Sequence, residues 1–78
     1  MRKIELKRPV SIGDRGDDVS RLHQALARLG RRPPRYEIRE QSYGPGTLTI
    51  LNAIQAEAGI TQSPRIEPES ETVRTINT

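Results

Sequence analysis

The chain has 78 residues, 13 of them Lys or Arg and 10 Asp or Glu, for a formal net charge of +3. Only 32% of residues are hydrophobic and Phe, Trp and Cys are absent, so residues 1–78 are expected to form one small domain with a thin aliphatic core and no disulfide. Zero Cys and a lone histidine, His23, exclude a zinc ribbon, a Cys–His nucleophile pair and nearly any all-protein transition-metal centre, so neither metal nor cofactor is expected.

Residues 1–9 alternate loosely, with Ile4 and Leu6 apolar and Lys3, Glu5 and Lys7 between them. The pattern predicts a short extended arm ending near Pro9. The stretch has no uninterrupted apolar segment of the kind an export signal requires, which reads as cytoplasmic, and no window of the chain holds the roughly 18 apolar residues of a membrane span. Residues 11–16 are rich in turn formers, and Asp17-Asp18 stand where a helix N-cap belongs. From there Val19, Leu22, Leu26 and Leu29 recur at spacings of 3, 4 and 3, with Ala25 beside them and Gly30 placed to end the run; this predicts a helix over 17–29.

Residues 31–42 contain Pro33-Pro34 and a dense mixture of charges, which predicts a solvated loop. A tight turn at Tyr43-Gly44-Pro45-Gly46-Thr47 precedes a second helix over 45–58. In it Leu48, Leu51, Ile54, Gln55 and Ala58 step around one face and Gly59 closes the end. After a proline-punctuated stretch, Val73 and Ile76 stand at helical spacing behind acidic residues, predicting a short third helix over 69–77.

Two blocks resemble a known family. Residues 10–30 follow the pattern L-x-x-G-x-x-G-x-D-V-x-x-L-Q-x-x-L-x-x-L-G without a gap, through Gly13, Gly16, Asp18-Val19, Leu22-His23, Leu26 and Leu29-Gly30. Tyr43-Gly44, Thr47, Ile50-Leu51, Ile54-Gln55 and Gly59-Ile60 then match F-G-x-x-T-x-x-A-V-x-x-F-Q-x-x-x-G-L at the same spacings. These are signatures of the small three-helix peptidoglycan-binding domain, and the resemblance spans about residues 10–77. Its closing segment is matched only at Thr72 and Ile76, with Glu69 and Ser70 where Gly and Pro usually stand. The resemblance implies an all-α, compact three-helix bundle, which the short extended N-terminal arm precedes, acting as a non-catalytic module that attaches a fused or partner protein to the bacterial wall.

Most matched positions have a structural explanation as caps, turns or core, so function must rest on a site placed on the fold. Tyr43 and Ile54 replace the usual Phe residues, leaving Tyr36 and Tyr43 as the sole aromatics; weak glycan stacking follows, and the carboxylates of the stem peptides become a plausible epitope for bidentate arginines. Tyr43 reads first as a core plug and second as a ligand platform. Arg15, Arg21 and Gln24, on the turn and polar face of the first helix, are expected to border a groove between the first two helices.

Other features favour bland readings. Arg28, Arg31, Arg32, Arg35 and Arg39 suggest a phosphate-binding patch, but Glu37 and Glu40 interrupt the run and no recognition helix follows Pro33-Pro34, so nucleic acid is disfavoured as a partner. His23, off the main apolar stripe, is expected to be half exposed, with Ser20 near it but no third group to orient a base. Glu67, Glu69 and Glu71 read as acids at a helix start rather than a hydrolase site. The expected partner is peptidoglycan, through its glycan or stem peptide, which would place the chain in the cell envelope; the alternative is a protein-interaction or assembly domain of phage or toxin-type machinery on the same scaffold.

Overall fold

The computed structural model describes residues 4–77. Four helices follow in chain order: α1 (Asp17–Arg28), α2 (Arg35–Glu40), α3 (Pro45–Glu57) and α4 (Glu71–Ile76). The chain is all-α, as its periodicity predicts, but the described residues hold one more helix than the expected three.

The two long helices are built alike. α1 follows Gly16 at φ 124 and α3 follows Gly44 in extended conformation, with Pro45 in the first turn where its missing N–H costs nothing. Asp17 and Asp18 thus occupy the first turn of α1 rather than the cap. Both helices end in a Schellman motif. Gly30 and Arg31 donate to Ala27 and Leu26, and Gly59 and Ile60 donate to Ala56 and Gln55. The left-handed residue each motif needs is supplied by Gly30 (φ 80) and Gly59 (φ 73).

The additional helix lies in the stretch expected to be a loop. Proline disrupts the turn preceding it, not the one following, so Pro33-Pro34 can introduce a helix: Pro34 is the N-cap, and its carbonyl accepts from Glu37 and Ile38. Gln41 ends the helix in the left-handed region at φ 52. α4 is shorter than the expected 69–77, because Glu69 has φ 61 and Ser70, as N-cap, accepts from the Val73 amide.

No extended strand is present among the described residues, and the arm does not form one. Two isolated antiparallel bridges, Val10 with Ile66 and Arg15 with Ser42, tie the connections together. Ile4 and Leu6 are buried beside Val10, and the core they join runs through Val19, Leu22, Leu26, Tyr43, Leu51, Ile54, Ile66, Val73 and Ile76. Nearly every segment contributes to it, and α2 is the exception: its one buried residue is Glu37.

Candidate functional site

The residues singled out in the sequence lie in three places. Arg21 and Gln24 line a groove of about 560 Å³ between the arm and α1, with Ile4, Glu5 and Lys7 on the arm side and Asp17, Ser20 and Arg28 on the helix. The expected groove between the two long helices is thereby relocated: the second wall is the arm. It exists because Asn77, just past α4, donates to the Ile4 carbonyl (3.1 Å) and accepts from the Ile4 amide (2.8 Å), holding the arm along the fold. Asp18, 8% exposed, adds a second tie by accepting from Arg8 at 3.1 Å and Arg21 at 3.0 Å. The Arg21 guanidinium is thus oriented at the groove wall by a nearly buried carboxylate. The lining carries charges of both signs, a hydroxyl and an amide, but no aromatic ring.

Arg15 does not line this groove. Its guanidinium pairs with Glu40 of α2 at 2.7 Å, and both side chains are largely exposed, so the pair adds little to stability. Tyr43 lies in neither place, being 1% exposed within the core, with its hydroxyl donating to the Pro64 carbonyl at 2.6 Å. Burial raises the phenol pKa from 10.0 to about 12. Its ring face and its hydroxyl are both occupied by the protein, which removes it as a stacking platform.

The third place is a buried polar cluster that the sequence reading missed. Glu37, 0% exposed, receives the amides of Gly44 (3.1 Å), Gly46 (2.8 Å) and Thr47 (2.9 Å), together with the Thr47 hydroxyl at 2.6 Å. α3 has no cap of its own, and this carboxylate from α2 satisfies its first amides while sitting at the positive end of its dipole. Burial alone pushes the Glu37 carboxyl pKa up, but the hydrogen bonds from Thr47, Gly46 and Gly44 outweigh it and hold the group below the usual carboxylate value. Gly44 and Gly46 make the approach possible: a Cβ on Gly44 would lie 2.7 Å from Glu37 Oε2, and one on Gly46 would collide with the Pro34 ring.

His23 completes the cluster. It is 3% exposed rather than half exposed, because it stands one turn after Val19 and the α2–α3 corner closes over it. Its Nε2 lies 2.9 Å from Thr47 Oγ1. An ionised Glu37 can only accept, so the Thr47 proton points to Glu37 and His23 Nε2 must donate to Thr47. That order places the neutral ring's proton on Nε2 and leaves Nδ1 as a buried lone pair with no hydrogen-bond partner. Desolvation lowers the His23 pKa, while the charge of Glu37 and, for the protonated ring, the Ser42 backbone oppose the shift. Its polar contact is to Thr47 and not to Ser20, which faces the groove. The cluster joins three helices, and its hydroxyl, that of Thr47, is 0% exposed and committed to Glu37.

Gln55, the glutamine of the second signature block, is likewise internal. It donates to Thr72 Oγ1 (3.1 Å) and to the Ser63 carbonyl (3.3 Å) and accepts from the Ser63 amide (3.2 Å), fastening α3 both to α4 and to the segment before it. Among the described residues no helix is long and apolar enough to cross a membrane, and no group of three or more His, Cys, Asp or Glu is placed to hold a metal ion. No family model and no curated protein matches the chain.

Proposed function

We propose that the chain is a non-catalytic binding module, and that its ligand is bacterial peptidoglycan recognised through the stem peptide rather than the sugar faces. The observation that carries this reading is the groove between the arm and α1, which gathers Arg21 and Gln24 with further groups of both charges. A stem peptide is zwitterionic, offering carboxylates to Lys7 and Arg21 and ammonium groups to Glu5 and Asp17. A sugar face prefers an aromatic platform, and the groove supplies none. The resemblance of the two sequence blocks to the peptidoglycan-binding pattern supports the same class of ligand.

The test is co-sedimentation with purified sacculi at about 0.1 M and about 0.5 M salt, since screening separates specific contact from basic adhesion. Sacculi stripped of stem peptides by an amidase run alongside. Binding is expected to survive the higher salt, to require stem peptides, and to fall in the Arg21→Gln/Gln24→Ala double variant but not in Arg15→Ala. Failure to pellet with intact sacculi, or equal pelleting with stripped ones, would refute the proposal.

A further inference from the structure

α2 is an inside-out helix. Its single buried side chain is the carboxylate of Glu37, whereas Tyr36 is 53% exposed and Ile38 37% exposed. At about 100° per residue, Arg35 and Arg39 stand one turn apart on the side opposite Glu37, with Tyr36 and Ile38 on the two flanks. Arg32 precedes the helix on the same segment. Among the described residues Arg32, Arg35 and Arg39 have no ion-pair or hydrogen-bond partner. The two glutamates that dilute this charge in the sequence do not do so in space: Glu37 is enclosed at the start of α3 and Glu40 is paired with Arg15.

Such a helix contributes no apolar side chain to the core, and its like-charged Arg35 and Arg39 at i,i+4 repel one another. Yet it is fixed rigidly, since Glu37 binds it to α3 through four hydrogen bonds. We infer that this face is a preorganised docking surface for an acidic protein segment bearing an apolar side chain. Carboxylates would pair bidentately with Arg35 and Arg39 and relieve their repulsion, while the apolar group packs on Tyr36 or Ile38. Both contacts are presented from a helix backbone that Glu37 already holds in place, so the ordering cost is confined to the side chains. The face is separate from the groove, and the inference stands or falls independently of wall binding.

The experiment uses fluorescence anisotropy of a labelled synthetic peptide that alternates acidic residues with leucine. An oligoglutamate of equal charge and a single-stranded oligonucleotide of equal charge serve as competitors. The peptide is expected to bind with shifts confined to the α2 amides in heteronuclear spectra, and to be displaced poorly by either competitor. Affinity should drop at least tenfold in Arg35→Glu/Arg39→Glu and again in Tyr36→Ser/Ile38→Ser, all of them exposed changes that leave the thermal transition in place. Absence of binding, shifts lying elsewhere, or displacement by oligoglutamate as effective as by the unlabelled peptide would overturn the assignment. Tighter binding of the oligonucleotide would overturn it in favour of a nucleic-acid surface.

Discussion

His23 and Glu37 carry opposite charges when ionised, yet both titrate so that acid destabilises the fold. The native pKa of His23 lies below its ordinary value of 6.5. In that interval the unfolded chain binds the proton and the native ring does not, so stability is fully present above 6.5 and is lost as pH falls through the native value. Glu37 also has a lowered native pKa, and its contribution is full above the ordinary carboxylate value of 4.5 and lost as pH falls through the lower native one. Urea melts between about pH 8 and about pH 3 should therefore show one decline that begins near 6.5 and a further one that begins near 4.5. His23→Gln keeps a donor for Thr47 Oγ1 and places at position 23 the residue the peptidoglycan-binding pattern carries there. It is expected to erase the upper decline and leave the lower one; an unchanged upper decline would show that another group causes it. Neither burial was legible beforehand, because His23 reaches Thr47 across 24 positions and Glu37 across 10, and a single sequence gives no local sign of either pairing.

At the scale of elements, α1 and α3 were legible because their periodicity, glycine ends and N-terminal turns all agree. The loop expected at 31–42 was half right. Charge density and a double proline do describe a solvated segment, but a helix can begin immediately after proline, and what holds α2 is a carboxylate rather than an apolar stripe. Periodicity cannot register an element that contributes no hydrophobic side chain. The α2–α3 corner offers a test in which two effects have opposite signs. Helix propensity favours Gly46→Ala by up to about 1 kcal/mol, whereas the added methyl meets the Pro34 ring and crowds Glu37 Oε2 at 3.0 Å. A proline ring has no flexible end to swing aside, so overpacking should win, at about 1–3 kcal/mol of net destabilisation. Guanidinium melts decide the sign, and a stabilised Gly46→Ala would mean that the corner is looser than these contacts imply.

For the whole molecule, the radius of gyration of 11.0 Å is about that of a compact globule of this length, and the compactness is reached with 32% hydrophobic residues. Stretches outside the helices must therefore supply core: Ile4, Leu6, Val10 and Ile66 are all buried. The arm was legible as apolar alternation, but its role as a wall of the groove was not, because that depends on Asn77 meeting Ile4 across 73 positions. Asn77→Ala removes both hydrogen bonds to Ile4 while leaving the apolar core intact, at a cost of about 1–2 kcal/mol. The loss should be local, because the arm is held by these bonds, the Arg8–Asp18 pair and two apolar side chains, whereas α1 and α3 are braced from several directions. Hydrogen exchange is expected to accelerate at the Ile4 amide, which donates to Asn77, and to stay slow at Leu26 and Leu51. Sacculus binding should fall in the same variant, since the groove loses the wall that carries Glu5 and Lys7. Unchanged exchange at Ile4 would show that apolar burial alone docks the arm, and faster exchange without loss of binding would place the ligand outside the groove.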